Sequence, residues 1–272
     1  MCLMRMPKIL VALTLFFFSH QALAHDCFLV AKPFRANAGS QVKIEIHVDD
    51  LFPGKHVAWN TDRVLRFHHW YGRTLLDSVV PEPESDSSGI FASVEQPGTH
   101  LFAVDWSHRV LELEAKLFNE YLRHEGLDHI LKARKDRKEE NKPGRERYSR
   151  YIKTFVTTGQ GDDNAYRHII GQALEMVPLE NPYAKKIGDT IRVRLLFHGK
   201  PVERAKISAT YQGASKKPGT YAQSVRTNKE GVAAIRLTHK GPWLVRTVHM
   251  LPSESPEADW ESWWASITFD LQ

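Results

Sequence analysis

Apolar residues that alternate with polar ones are the feature that most limits how this chain can fold. Over residues 42–48, Val and Ile alternate with Lys, Glu and His. This period of two is that of a strand with one buried and one exposed face. Pro53-Gly54 then turns the chain, and a second strand pattern occupies 101–106. We predict an N-terminal β domain over residues 25–110.

The same alternation returns towards the C-terminus. Over 191–195, apolar residues alternate with two arginines, and further short strand patterns follow, separated by turns that contain Gly, Pro and Asn. Short strands at regular spacing are typical of an immunoglobulin- or transthyretin-like β-sandwich. We predict such a sandwich over residues 174–272. Its part from Pro178 onwards is expected to fold independently, with Trp243 inside.

Between these β regions the apolar spacing becomes helical. Phe118, Tyr121 and Leu122 share one helical face. A charged run of mixed sign follows and indicates a solvated helix face. After Pro143-Gly144, the apolar residues of 148–156 again show helical spacing. The predicted fold class is therefore mainly β with a helical middle segment over 111–173, which joins the N-terminal β domain to the C-terminal sandwich.

The first 24 residues have the pattern of a cleaved export signal. Arg5 and Lys8 precede an apolar run over residues 9–18, and Ala22-Leu23-Ala24 matches the small-residue pattern read by signal peptidase. The run is shorter than the roughly 20 apolar residues of a membrane span, and no longer one follows. We predict cleavage before His25, a periplasmic location and no membrane span in the processed chain.

Charge and motifs exclude several function classes. Cleavage lowers the formal net charge from +5 to +3, because it removes two basic residues and no acidic one. This charge is mild, and Lys and Arg with interleaved aromatic residues are not concentrated into a basic patch, so a nucleic-acid partner is not expected. The sequence has no phosphate-binding glycine loop, nucleophile elbow, zinc-protease helix or CxxC pair. We predict that the chain is not an enzyme.

The sharpest chemical feature is His25 as the first residue of the processed chain. Its α-amine and imidazole can hold one ion together, and nitrogen ligands suit divalent nickel, cobalt and copper. His249 is the first choice for a further ligand, and His68 is the second. Asp259 and Glu261 follow His249 closely and are expected to bind the metal or to orient a ligating imidazole. The alternative is that cleavage leaves a histidine here by chance.

Motifs along nearly the whole processed chain carry a family resemblance: Ala24-His25-Asp26, Phe118-Asn119-Glu120-Tyr121-Leu122, Arg147-Tyr148-Ser149-Arg150-Tyr151, Asn181-Pro182-Tyr183, Val248-His249-Met250 and Asp259-Trp260-Glu261-Ser262. With them the chain resembles exported bacterial proteins of unassigned function that are often described as periplasmic components of nickel or cobalt uptake. The resemblance implies an immunoglobulin-like C-terminal sandwich, a metal role and a membrane metal transporter as partner. That His25, His249, Asp259 and Glu261 bind the metal is our inference. Where relatives tend to carry an aromatic residue, this chain has Cys27.

Two functions of different classes remain open. In the first, the protein binds nickel or cobalt in the periplasm and delivers it to an envelope transporter, or it handles copper. In the second, it is a non-metal envelope module that binds protein or carbohydrate, and its histidines are incidental. For this second function the aromatic cluster Trp260, Trp263 and Trp264 is a candidate platform.

Overall fold

The computed structural model describes residues 25–59, 62–77, 89–161 and 164–272, so the predicted export signal lies outside the described residues. Within these ranges the chain forms fifteen strands, two α-helices and two single turns of 3-10 helix. The strands are β1 (Cys27–Lys32), β2 (Ser40–Val48), β3 (Val64–Tyr71), β4 (Thr74–Asp77), β5 (Ile90–Val94), β6 (Thr99–Leu113), β7 (Gly144–Thr157), β8 (Leu174–Pro178), β9 (Thr190–Phe197), β10 (Lys200–Pro201), β11 (Lys206–Tyr211), β12 (Gln223–Arg226), β13 (Val232–Arg236), β14 (Gly241–Pro252) and β15 (Trp260–Leu271). The helices are α1 (Ala115–Glu125) and α2 (Asp128–Asp136), and the 3-10 turns are Ala165–Arg167 and Pro182–Ala184.

One eight-stranded sheet runs through the centre of the molecule. Its strand order is β12-β11-β14-β15-β7-β6-β3-β4. All neighbouring strands in it are antiparallel except β15 and β7, which are parallel. The parallel pair therefore joins the strands from the C-terminal part of the chain to those from the N-terminal part.

Two smaller sheets cover opposite faces of this central sheet. The first has the order β1-β2-β5, and the second has the order β10-β9-β13, with β8 also paired to β9. Successive side chains of a strand point to opposite faces. In β6, Phe102 accordingly packs with the first small sheet and Leu101 with the second. The fold is thus three-layered, with one hydrophobic core on each side of the central sheet.

The two helices pack on the same face as the first small sheet, near the hairpin between β14 and β15. Phe118 and Leu122 of α1 are fully buried against Trp260 and Trp264. This confirms the predicted helical face. Gly126 ends α1 with φ of 70°, a left-handed conformation that glycine adopts without steric cost.

The predicted third helix is wrong, because residues 144–157 form strand β7. The strand is covered on both faces: Ile152 and Val156 point into the first core, while Tyr151 and Phe155 point into the second. A strand buried on both sides has apolar residues at odd and even positions alike. Here their spacing happens to match a helical period.

All three predicted segments contribute strands to the central sheet. Strand β6 crosses the predicted boundary at residue 110, and β15 pairs with β7 from Trp260 through Thr268. The fold class, mainly β with helices in the middle of the chain, is confirmed, and Trp243 is fully buried as expected. Of the two described helices, neither is long and apolar enough to cross a membrane.

Candidate functional site

The five residues predicted to bind a metal lie in separate places. His249 is in β14 and His68 in β3, and both face the second small sheet and its flanking loop. His25 precedes β1, in the layer on the opposite face. Among the described residues, no three His, Cys, Asp or Glu side chains are grouped so that they could hold one metal ion. The predicted set therefore does not form a single metal centre.

Asp259 and Glu261 are engaged by arginines of β7. Arg145 contacts Asp259 at 2.8 Å, and Arg147 contacts Glu261 at 2.7 Å. The hydrogen bond from Arg145 lowers the pKa of Asp259. These carboxylates hold the start of β15 against β7, since both ion pairs cross the parallel strand pair.

His249 lies in an aromatic cluster. Its ring centroid is 4.7 Å from that of Phe197 and 6.3 Å from that of Trp263, and the Phe197 and Trp263 rings are 4.7 Å apart. Burial, with a smaller contribution from His129, lowers the pKa of His249 to about 4. The imidazole is neutral at pH 7 and half-buried between aromatic rings.

His68 is buried, and neither of its ring nitrogens has a hydrogen-bond partner in the part of the chain that the structure describes. Burial lowers its pKa, so the ring is neutral. Asp105, whose charge opposes this effect of burial on His68, is already paired with Arg66 at 2.6 Å. His68 thus forms no site together with His25 or His249.

His25 does meet an unexpected partner, the carboxylate of Asp50. The distance from His25 Nδ1 to Asp50 Oδ2 is 2.8 Å, and the imidazole is exposed. Two hydrogen bonds position this region: the Arg150 guanidinium donates to the His25 carbonyl at 2.9 Å, and next to the pair the Asp49 amide donates to the Asp26 carbonyl at 3.1 Å. Among the described residues, His25 is therefore the predicted metal ligand that contacts an acid of a neighbouring loop.

The pairing register explains why Asp50 is there. Strands β1 and β2 are antiparallel with Cys27 opposite Val48, so the residues that precede β1 face those that follow β2. The signal in the sequence is the strand pattern at 42–48. If it pairs as an antiparallel strand with the segment after His25, then Asp49 and Asp50 lie next to His25.

A cavity of about 300 Å³ lies beside this pair and shares Asp50 as a wall residue. At its base Arg246 Nε is 2.7 Å from Asp26 Oδ1, and the guanidinium also forms two hydrogen bonds with Glu125. We call Asp26, Glu125 and Arg246 the Arg246 cluster. Their exposures are only 4%, 6% and 3%, so three charges are held almost entirely away from bulk water. The Tyr221 hydroxyl donates to the second oxygen of Asp26 at 2.7 Å.

His124 stands at the side of the cavity with both ring nitrogens next to acceptors. Nδ1 is 3.1 Å from Glu125 Oε1, and Nε2 is 3.0 Å from the Gly219 carbonyl. The hydrogen bond to Glu125 raises the pKa of His124. Burial acts to raise the pKa of Glu125, but Arg246 and His124 outweigh it and hold that pKa at about 2. Glu125 is therefore ionised.

Burial dominates at Asp26 and at a neighbouring acid. It raises the pKa of Asp26 in spite of Arg246. Behind the cavity wall the Tyr121 hydroxyl donates to Glu146 Oε1 at 3.0 Å, and burial raises the pKa of Glu146 to about 7. Perturbed carboxylates around a cavity are typical of functional sites. Sequence analysis missed this set because its members lie far apart along the chain.

The chain belongs to the family Domain of unknown function (DUF4198), whose model matches residues 22–251. The resemblance to a family of unassigned function is thereby confirmed at that level. No curated protein matches the chain.

Among solved structures, the chain is similar to the D0–D1 domain of intimin, at 10% identity over 90% of this chain and 97% of that one, with a TM-score of 0.21. It is also similar to a β-glucuronidase of Parabacteroides merdae, at 12% identity over 91% of this chain and 24% of that one, with a TM-score of 0.22. A third is the central fibronectin-III array of RIM-binding protein, at 10% identity over 86% of this chain and 82% of that one, with a TM-score of 0.21. The three layers of the fold are defined by the strand pairing within this chain.

Proposed function

We propose that the processed chain is a periplasmic, non-enzymatic protein that binds a divalent transition metal at His25 and Asp50. Nickel or cobalt is the expected cargo, with copper as the alternative, and an envelope transporter is the expected recipient. The observation that supports this is the 2.8 Å distance between His25 Nδ1 and Asp50 Oδ2 at an exposed position. In this proposal Asp50 is the further metal ligand, the role predicted from the sequence for His249 or His68.

The donor set fits such an ion. Metal–nitrogen and metal–oxygen bonds are about 2.0–2.1 Å long, so two neighbouring ligands at right angles lie about 2.9 Å apart. The imidazole nitrogen and the Asp50 oxygen have this separation. Cleavage before His25 would add its α-amine, which can close a chelate ring with the same imidazole nitrogen. Two nitrogens and one carboxylate oxygen suit nickel and cobalt, and copper binds such sets most tightly.

Three protein donors leave coordination positions open. An open position lets a recipient protein add its own ligand before the first protein releases the metal. The exposed imidazole is accessible to such a partner. This supports a delivery role over a structural one, because structural sites are typically closed by four protein ligands.

The test is a titration of nickel, cobalt and copper into protein whose N-terminus has been read by mass spectrometry. Loss of a second-shell partner typically weakens metal affinity about 10–100-fold, so His25→Ala should weaken it at least about 100-fold. Asp50→Asn, and a form with one extra residue before His25, should each weaken it about tenfold or more. Asp49→Asn is the matched control, because Asp49 bonds the Leu51 amide and does not contact His25.

Equal affinity in all five proteins would refute the N-terminal metal site. An N-terminus other than His25 would remove the amine from the donor set. In either case the envelope-module function becomes the better one.

That second function has an observation in its favour, the half-buried aromatic surface formed by Phe197, His249 and Trp263. Trp260 and Trp264 do not belong to it, because both are buried under the helices. Half-exposed rings suit stacking against a sugar or a peptide. Trp263→Ala should abolish retention on a carbohydrate or peptide array, if that function is the right one, and leave metal affinity unchanged.

A further inference from the structure

We propose that Arg63, Arg109 and Arg150 bind a small, doubly negative oxoanion of the phosphate or sulfate type. We call these three residues the arginine triad. They lie near Trp106 of β6, on the side of the central sheet that carries the first small sheet. The proposal does not rest on the proposed metal function, because none of the three is a metal ligand in it.

Strand register and aromatic contacts bring the triad together. Arg150 of β7 lies directly opposite Trp106, and Arg109 lies directly opposite Tyr148. Residues that are opposite each other in an antiparallel pair share one face of the sheet. The Trp106 ring centroid is 4.5 Å from Arg63 Cζ and 5.6 Å from Arg150 Cζ. Arg150 Cζ is also 5.1 Å from the centroid of Tyr148, so Tyr148 lies between Arg150 and Arg109.

The triad differs from the other arginines of β7 in having no acid. Arg145 and Arg147 each form an ion pair with a carboxylate near the start of β15. No residue of the triad forms an ion pair with any carboxylate in the part of the chain that the structure describes. Burial lowers the pKa of Arg63, and the charges of Arg109 and Arg150 lower it further. A group of like charges with no counter-charge attracts an anion.

Hydrogen-bond donors of the triad also remain unused. Arg63 donates to the Ser107 carbonyl at 3.2 Å, and Arg150 donates to the His25 carbonyl at 2.9 Å. Arg150 also contacts the thiol of Cys27, which is a weak acceptor. The Nε atoms of Arg63 and Arg150 are buried and have no hydrogen-bond partner among the described residues, and Arg150 is only 5% exposed. A buried donor without an acceptor costs free energy, which a ligand rich in acceptors can recover.

The chemistry of the triad sets the class of ligand. Guanidinium groups have donors and no acceptor, so their complement is a group with acceptors only. A tetrahedral oxoanion offers several oxygens and can accept two parallel N–H bonds from one arginine. Arg109 is exposed and Arg63 is half-buried, so an ion can approach from solvent with Arg150 at the base. Free phosphate and the phosphate group of a lipid share this chemistry.

The experiment is calorimetric titration of sodium phosphate into protein that has been freed of metal on a chelating resin. Sodium sulfate is the second probe, and neutral glycerol is the comparison ligand. We expect phosphate and sulfate to bind and glycerol not to bind. Arg109→Gln should weaken phosphate binding about tenfold or more, because it removes a charged donor at an exposed position where the fold does not depend on it. Arg63→Lys keeps the charge but loses the planar fork, so it should weaken binding less than Arg63→Gln does.

Arg236→Gln is the matched control for Arg109→Gln. Arg236 is also an exposed strand arginine without an ion pair among the described residues, but it lies in β13, on the opposite side of the central sheet. Its phosphate affinity should stay within about twofold of the parent at an ionic strength of about 0.15 M, which screens distant charges. Equal losses in the two variants would reduce the effect to overall charge and overturn the site. Absence of phosphate and sulfate binding to the parent would overturn it as well.

Vesicles of phosphatidylcholine with and without phosphatidic acid distinguish the two sources of phosphate. If the parent sediments only with vesicles that contain phosphatidic acid, and Arg109→Gln does not, the triad binds the phosphate of a lipid. If phosphate binds in the calorimeter but no vesicle retains the protein, the triad binds the free ion. Both results support the site. Metal is absent from every titration and no proposed metal ligand is changed, so a failure of the metal site would leave these outcomes unaffected.

Discussion

Two buried charge clusters lie on opposite faces of the central sheet, and they differ in balance and surroundings. Lys153 and Glu175 form a one-to-one pair at 2.7 Å, with each side chain 2% exposed. Glu175 also accepts from the amides of Ile170 and Gly171. The Arg246 cluster has two acids around one arginine, with His124 hydrogen-bonded to Glu125 at its edge, and it borders a cavity. The first pair is thus enclosed by protein partners, whereas the second cluster lies beside open space.

The difference follows from what each cluster can still bond. In the Lys153–Glu175 pair both charges are neutralised, and the remaining acceptor sites are taken by the loop before β8. In the Arg246 cluster, Arg246 Nε lies within ion-pair distance of Asp26 but has no hydrogen-bond partner among the described residues, and Glu125 also contacts His124. Buried ion pairs contribute little net stability on average.

Cutting the chain before Leu174 should have the largest effect, because it breaks both clusters at once. The segment 174–272 keeps Glu175 without Lys153 and Arg246 without its two acids, and it leaves β15 without β7. We expect this segment, expressed alone, to show no cooperative unfolding transition in urea. A cooperative transition would support the independent sandwich that the sequence predicts, and would show that the parallel pairing is dispensable.

Removing the cation of the Lys153–Glu175 pair should have the next largest effect. Lys153→Met leaves the buried Glu175 without its partner charge, which should lower the free energy of unfolding by about 3–5 kcal/mol. Urea unfolding monitored by tryptophan fluorescence measures it. Lys132→Met is the control: its exposed pair with Asp136 contributes about 0.5 kcal/mol or less. A loss below about 1 kcal/mol for Lys153→Met would contradict a supporting role for the pair.

Glu146 extends the comparison to a buried acid that contacts no cation among the described residues. Its folded pKa of about 7 lies above the unfolded value of about 4.3, so the folded state binds more protons between these two values. The free energy of unfolding should therefore fall as pH rises from about 4.3 to 7, by up to about 4 kcal/mol from this group. In Glu146→Gln that contribution should be missing, which urea unfolding at pH 5 and pH 7.5 would show. If parent and variant have the same pH dependence, Glu146 is not protonated in the folded state.

The smallest effect is expected at the edge of the Arg246 cluster. Tyr221→Phe removes the hydroxyl that donates to Asp26 and should lower the free energy of unfolding by about 1 kcal/mol. Tyr211→Phe is the matched control, because its hydroxyl meets only His239 at an exposed position. Thermal unfolding of both variants measures the difference. If Tyr211→Phe lowers the free energy of unfolding more than Tyr221→Phe does, the Tyr221 hydroxyl does not stabilise the Arg246 cluster.

Local patterns in the sequence were sufficient for much of the fold. The alternation at 42–48 became β2, and the spacing of Phe118, Tyr121 and Leu122 became the buried face of α1. Each of these elements has one apolar face, so its period is visible in the residues themselves. In β2 the polar face is also covered, because Glu45 and His47 are buried, which corrects the exposed face that the alternation predicts. Strand β7 was mistaken for a helix because both its faces are buried, and burial on both faces removes the period.

The candidate site divides in the same way. His25 was found from its position after the predicted cleavage point, a property of neighbouring residues. Asp50, Glu125 and Arg246 came together only in three dimensions: Glu125 and Arg246 are 121 residues apart. Sequence alone determined which residues can carry charge or bind a metal, and where the strands with one apolar face run. The tertiary structure decided which charges share a cavity, since contacts between distant residues depend on strand order and register.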